Sequence, residues 1–128
     1  MRLAPAALMV GAVALTACQT RSDTSTRLGT PQSVMVNVAQ QMQACWFKPK
    51  LAQFRPYRLA AELDSYSGKP RVLLVPRNQP AGLPKLVAQA ERRNSRTQFT
   101  SFGPLLKSNN GPALRASMDA WAKGSKTC

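Results

Sequence analysis

The chain has 128 residues, with 18 Lys and Arg against 5 Asp and Glu, no histidine, three cysteines and a formal net charge of +13. A chain of this length forms one small domain that buries about 65% of its unfolded surface, which gives it a modest core. The absence of histidine excludes Ser/His/Asp and Cys/His nucleophilic sites and histidine-ligated metals. Five scattered acids leave little for paired-carboxylate catalysis. We therefore expect a protein that is not an enzyme and that holds no metal or cofactor.

The first residues have the composition of an export signal. Arg2 is the only charge before Arg21, and residues 3–15 are apolar apart from Pro5. This stretch is too short to span a bilayer, which takes about 20 apolar residues. Residues 1–17 are therefore predicted to be a signal peptide.

The sequence Leu-Thr-Ala-Cys at residues 15–18 resembles the bacterial lipobox. This resemblance implies that the thiol of Cys18 carries a diacylglyceryl group, that cleavage follows Ala17, and that the new amino terminus is acylated. Two or three acyl chains anchor a small protein, because each buried methylene contributes about 0.8 kcal/mol. Gln19, rather than Asp, follows the cysteine, which resembles lipoproteins sent to the periplasmic face of the outer membrane. The alternative is an ordinary secretory signal with an unmodified cysteine.

A flexible linker and one folded domain are expected after the signal. Residues 18–30 are rich in Ser and Thr and have no apolar period, so we interpret them as the linker, and residues 31–128 as a small α+β domain. Thr30 is the expected N-cap of a helix over 32–46, with Pro31 at its first position. The apolar positions that recur at helical spacing are Val34, Val38, Met42, Cys45 and Trp46.

The middle of the domain has the pattern of an antiparallel hairpin. Polar and apolar residues alternate over 57–64, which predicts a half-buried strand, and the apolar run 71–75 is its natural partner. Residues 65–69 supply turn chemistry, with Gly68 free to take a positive φ. Residues 83–91 fit either a helix or a strand. A third strand is the favoured interpretation, because an isolated two-stranded hairpin is marginally stable.

The last third of the chain is predicted to hold a loop, a turn and a helix. Residues 92–98 are interpreted as a basic, polar loop, and four apolar side chains are expected to fill the core around a turn at Gly103-Pro104. These four residues are Phe99, Phe102, Leu105 and Leu106. A closing helix is expected to begin near Gly111 and to end at Gly124, with Leu114, Met118 and Trp121 on its apolar face. The expected architecture is a two- or three-stranded antiparallel sheet packed against an N-terminal and a C-terminal helix.

Two cysteines remain once lipid is assigned to Cys18. In an oxidising compartment, Cys45 and Cys128 most simply form a disulfide. The loop so closed has about 83 residues and is worth roughly 4 to 5 kcal/mol in the chain-entropy model. Two free thiols are the alternative, and a redox-active pair is disfavoured because the sequence holds no Cys-x-x-Cys.

The mature domain resembles the C-terminal domains of TolA and TonB type periplasmic proteins. The resemblance rests on Cys45-Trp46 at the end of the first helix, on the hairpin from Tyr57 to Val75 with its glycine-containing turn, and on the closing helix followed by Cys128. It covers about residues 34–76 and 112–128. It implies a small binding module of the cell envelope. The chain departs from those proteins in carrying a lipobox where they have a membrane helix and a long periplasmic stalk.

The positive charge predicts an anionic partner. Its densest part is Arg92, Arg93 and Arg96, with Arg77 and Lys85 upstream, and these five residues are the candidate contact surface. Suitable partners are peptidoglycan carboxylates, lipid headgroups, lipopolysaccharide phosphates or an acidic protein. The alternative is a charge that serves solubility alone. Nucleic acid is disfavoured, because the protein is expected outside the cytoplasm and because its aromatic residues do not stand among its basic ones as a platform on which bases could stack.

An enzyme or accessory protein acting on peptidoglycan is the second functional hypothesis. Its only candidate acids in the core region are Glu62 and Asp64, which are expected on the outer face of one strand beside a turn. Both are better interpreted as solvated strand residues. Trp46 and Trp121 are likewise expected in the core rather than at a surface site, because each lies on the apolar stripe of its helix.

Overall fold

A computed structural model of the protein describes residues 27–64 and 68–128. The predicted signal peptide, the predicted lipidation site Cys18 and most of the predicted linker lie outside the described residues. The helices and strands, in chain order, are α1 (Pro31–Met42), β1 (Tyr57–Glu62), β2 (Arg71–Pro76), β3 (Leu86–Arg93), β4 (Arg96–Phe102) and α2 (Gly111–Ala122). None of the described helices is long and apolar enough to cross a membrane.

The four strands form a single sheet in the order β1-β2-β3-β4, and each strand is antiparallel to the next. The two helices lie at the two ends of the described chain, contact each other and pack on the sheet. The predicted α+β class is therefore confirmed. The strand interpretation of residues 83–91 is confirmed from Leu86 onward, whereas residues 83–85 precede β3. The predicted count of two or three strands is wrong, because a fourth strand follows β3 directly.

The fourth strand arises from a tight turn that the sequence analysis missed. Residues 92–98, predicted to be a loop, complete β3, turn at Asn94 and Ser95, and begin β4. Both turn residues have positive φ, 49° and 64°, as a two-residue hairpin of type I′ requires. Asn-Gly is the usual signal for this turn. Serine in the second position left the hairpin without that signal.

Helix α1 begins as predicted and ends in a wider turn. The Thr30 hydroxyl accepts a hydrogen bond from the amide of Ser33 at 3.2 Å, and Pro31 occupies the first helical position. The helix then continues as a π-helical turn over Gln43–Phe47. Pro49 follows closely and cannot continue a helix, because it lacks an amide hydrogen. Leu28, at the end of the predicted linker, packs against the core.

The core lies between the helices and one face of the sheet. Its fully buried side chains include Met35, Met42, Leu74, Leu86, Met118 and Trp121. Trp46 and Trp121 are 5% and 1% exposed, which confirms their predicted place in the core. Phe99, Leu105 and Leu106 pack against this core, as predicted. Phe102 is 50% exposed, so the prediction for this residue is wrong.

Phe102 is exposed because it lies on the other face of the sheet. It pairs with Val87, whose side chain belongs to a separate small apolar cluster with Leu73 and Val75. Successive side chains of a strand alternate between faces, so Ser101 points toward the helices and Phe102 points away. Arg115 of α2 donates hydrogen bonds to the carbonyl and hydroxyl oxygens of Ser101, at 3.1 and 3.3 Å.

The C-terminal residues are tied to α1. Cys45 and Cys128 form the predicted disulfide, with 5.4 Å between their Cα atoms. The Trp121 indole donates to the carbonyl of Thr127 at 2.8 Å. Asn37 of α1 donates to the carbonyl of Trp121 at 2.8 Å. The disulfide and these hydrogen bonds hold the end of α1 and the end of the chain together.

Candidate functional site

The structure separates the five predicted contact residues into two groups. Arg92, Arg93 and Arg96 lie at the tip of the β3–β4 hairpin, where Arg93 pairs with Arg96. Lys85 precedes the other end of β3, and Arg77 follows β2 at that same end, because the amide of Lys85 donates to the carbonyl of Leu74. Six residues of extended strand, 86–91, lie between Lys85 and Arg92, so the two groups are about 23 Å apart along β3. One compact ligand cannot contact both.

The first group, which we call the hairpin tip (residues 92–96), is partly neutralised. Glu91 accepts from Arg93 Nε at 2.9 Å and lies 3.3 Å from Lys69 Nζ. Partial burial opposes ionisation of the Glu91 carboxyl, but the hydrogen bonds and charges of Lys69 and Arg93 outweigh it and lower its pKa. Glu91 therefore stays ionised at neutral pH and offsets part of the positive charge of the hairpin tip.

A second basic region surrounds an open cleft lined by described residues. This cleft has a volume of about 580 Å³ and lies where the chain leaves α1 and enters β1, against the residue that follows β2. Four of its lining residues are cationic and none is acidic. The four cations are Lys50, Arg55, Arg58 and Arg77.

The other lining side chains are mostly aromatic and aliphatic. Trp46 and Phe54 stack with their ring centroids 4.6 Å apart, and Phe47 lies 5.8 Å from Phe54. Trp46 and Phe54 are buried, whereas Leu51 is 39% exposed. Leu59 and Gln43 complete the wall. The cleft thus combines an apolar, aromatic floor with cationic side chains.

Several contacts fix the cleft in place. Arg77 joins the end of β2 to the segment before β1, since its amide donates to the carbonyl of Pro56 at 2.9 Å and its Nε to that of Arg55 at 3.1 Å. The amide of Lys50 donates to the carbonyl of Phe47 at 3.0 Å, with Lys50 itself in the left-handed region at φ 57°. The disulfide at Cys45 adjoins the aromatic floor. The cationic groups are therefore carried by a constrained segment rather than by a free loop.

Among the described residues, the cations of the cleft also lack carboxylate partners. The described residues include sixteen Lys and Arg, of which only Lys69, Arg71 and Arg93 form salt bridges within those residues. Guanidinium groups bind carboxylates and phosphates through paired hydrogen bonds, and they do so more strongly next to low-dielectric walls. The arrangement can therefore hold an anionic group whose remaining body is apolar.

This site was not predicted from the sequence, although the sequence contains a signal for it. Residues 46–58 carry aromatic and cationic side chains in close alternation, with no acid among them. The aromatic residues of this segment also belong to the core, where Trp46 and Phe54 are buried. Arg77 joins the cleft only through the pairing of β2 with β1, which sequence distance does not indicate.

The two acids considered for catalysis are occupied by structural contacts. Strand β1 ends at Glu62, whose carboxylate lies 2.6 Å from Arg71 Nε on the paired strand. Asp64 accepts a hydrogen bond from Gln32 of α1 at 3.1 Å, so the expectation that it shares the outer face of a strand with Glu62 is wrong. In residues 27–64 and 68–128, no three His, Cys, Asp or Glu side chains are grouped as metal ligands.

Comparison of the chain with models of protein families, with curated protein sequences and with solved structures finds no match. The resemblance to TolA and TonB type domains therefore remains an expectation from the residues that carry it.

Proposed function

We propose that the protein is a lipoprotein anchored at the periplasmic face of the outer membrane, where its domain acts as a basic binding or structural module of the envelope, similar to TolA and TonB C-terminal domains. The proposal is supported chiefly by the many cations that have no carboxylate partner within the described residues. Thirteen of the sixteen Lys and Arg of the described residues form no salt bridge there. Such an excess attracts anionic surfaces over about a Debye length, 8 to 10 Å.

The lipobox and the disulfide support the proposed location. An export signal ending in Leu-Thr-Ala-Cys leads to acylation of Cys18, and the Cys45–Cys128 disulfide suits an oxidising compartment. Peptidoglycan, lipid headgroups and acidic envelope proteins are the polyanions found at this location. Nucleic acid is not a proposed partner.

Metabolic labelling with a fatty acid tests the anchor. We expect label in the wild-type protein and none after Cys18→Ala, and equal label in both would contradict it.

Co-sedimentation of the mature protein with purified sacculi and with anionic vesicles tests the binding module. Binding is expected to weaken as salt increases, and also after replacement of the three hairpin-tip arginines by glutamine. Binding that is insensitive to both changes would remove charge as the basis of the proposed function.

A further inference from the structure

The cleft differs from the rest of the basic surface because its cations surround an apolar floor. A flat array of exposed charges favours any polyanion, whereas a cleft with a cationic rim and an aromatic floor favours a ligand with one anionic end and one apolar end. Its volume of about 580 Å³ falls in the range of about 300 to 1,000 Å³ that small-molecule sites occupy.

We propose that this cleft binds an anionic amphiphile, a phosphate or carboxylate group carried on an acyl chain. Lys50, Arg55, Arg58 and Arg77 face the charged group. The partly exposed side chains Phe47, Leu51 and Leu59 contact the chain, over the buried Trp46–Phe54 stack. This inference deepens the proposed function by giving the basic domain a defined site and ligand class. It rests on that function for its setting, because a lipid anchor keeps the cleft close to such molecules.

The reach of the linker is consistent with this setting. About a dozen residues separate Cys18 from the start of α1, and fully extended they span about 40 Å. The domain is therefore held within reach of the membrane surface to which the anchor binds. Free amphiphiles and headgroups of the bilayer share the same chemistry, and the experiment separates these two sources.

The test uses the mature chain from residue 18 onward, with Cys18→Ser in place of the lipid. All residues of the described core lie from Leu28 onward, so this chain retains them. Binding of dodecyl phosphate, below its micelle concentration, is measured by calorimetry and by tryptophan fluorescence. Trp46 lies in the cleft, so a ligand bound there should alter the fluorescence. Inorganic phosphate, a neutral dodecyl glycoside and anionic phospholipid vesicles are measured in parallel.

Two variants of equal charge locate the binding site. The cleft triple replaces Arg55, Arg58 and Arg77 by glutamine, and the hairpin triple replaces Arg92, Arg93 and Arg96 by glutamine. We expect the cleft triple to weaken dodecyl phosphate binding at least about tenfold, because charge-assisted hydrogen bonds are lost, and the hairpin triple to weaken it less than about twofold.

Arg77 also has a structural role, so a second pair of variants guards against misfolding of the cleft triple. The double change Lys50→Gln and Arg58→Gln removes two cleft cations for which the described residues show no side-chain hydrogen bond. Its matched control is Arg92→Gln with Arg96→Gln. The cleft double is expected to weaken binding about fivefold or more at an unchanged melting temperature.

Several results would overturn the inference. Equal losses in the cleft and hairpin variants would mean that net charge alone binds the ligand. If inorganic phosphate bound as tightly as dodecyl phosphate, the apolar floor would contribute nothing to the affinity. If the neutral glycoside bound tightly, the cations would contribute nothing to it. Binding to vesicles without binding to dodecyl phosphate would mean that the basic surface binds the bilayer and that the cleft does not bind a single amphiphile.

The proposed function and the cleft inference can be contradicted independently of each other. If the protein bound sacculi in a salt-dependent way but did not bind dodecyl phosphate, the cleft inference would be contradicted and the proposed basic binding module would be supported. If the protein bound dodecyl phosphate but took no fatty-acid label, the lipid anchor would be contradicted and the cleft inference would be supported.

Discussion

The hairpin tip and the cleft are both basic, but they are built in different ways. The hairpin tip collects Arg92, Arg93 and Arg96 from five consecutive positions around a two-residue turn, and Glu91 neutralises part of it. The cleft collects its cations from the loop after α1, from β1 and from the residue after β2, around a buried aromatic stack. The hairpin tip thus presents its charges beside an acid, whereas the cleft places three charges of one segment and Arg77 beside apolar walls.

The largest effect on stability is expected from loss of the disulfide beside the cleft. The double change Cys45→Ser and Cys128→Ser should lower the free energy of unfolding by about 4 to 5 kcal/mol, because the unfolded chain regains the entropy of a long closed loop. Chemical denaturation with and without reductant measures this loss. Cys45 adjoins the aromatic floor, so cleft binding should weaken as well. A stable double variant with unchanged dodecyl phosphate affinity would contradict the role of the disulfide in holding the cleft.

The next effect distinguishes two phenylalanines. Phe54→Ala should destabilise the protein by about 3 kcal/mol, because it removes a buried ring stacked on Trp46. Phe102→Ala is the matched control, and it should cost below about 1 kcal/mol because that ring is half exposed. Urea denaturation of both variants gives the comparison. Similar losses would mean that the cleft floor is no better packed than the open face of the sheet.

Acidification tests the charge interactions beside the hairpin tip and is expected to have a smaller effect on stability. Folding lowers the pKa of Glu91, so its contribution to stability is present above its unfolded pKa, about 4.3, and is lost as the pH falls through the lower folded value. Thermal melts from pH 6 to pH 2 should show this loss in the wild type. Glu91→Gln should flatten the dependence, and a dependence as steep as that of the wild type would contradict the role of Glu91.

The smallest effect is expected at the hairpin tip itself. Ser95 has a φ of 64°, a conformation that costs a residue with a Cβ roughly 1 to 2 kcal/mol and glycine little. Ser95→Gly should stabilise the protein by about 0.5 kcal/mol, since the greater freedom of glycine in the unfolded chain offsets part of the gain. Denaturation midpoints of the two proteins test this, with dodecyl phosphate affinity unchanged. A loss of stability would contradict the assigned turn.

The sequence predicted the parts of this protein that depend on local pattern. Thr30 and Pro31 marked the start of α1, apolar spacing placed both tryptophans in the core, and elimination paired Cys45 with Cys128. The turn at the hairpin tip was not predicted, because Ser95 stands where the usual turn signal has glycine. The cleft escaped because Arg77 reaches it only through strand pairing, and because Phe54 serves the core and the cleft at once.

The measurement that tests the central claim most directly is a titration of the isotope-labelled mature chain with dodecyl phosphate, followed by nuclear magnetic resonance. We predict the largest shifts at the Trp46 indole, at the amides of residues 47–59 and at Arg77. The amides of residues 92–96 should move little. Largest shifts at residues 92–96, with the Trp46 indole unmoved, would contradict the account.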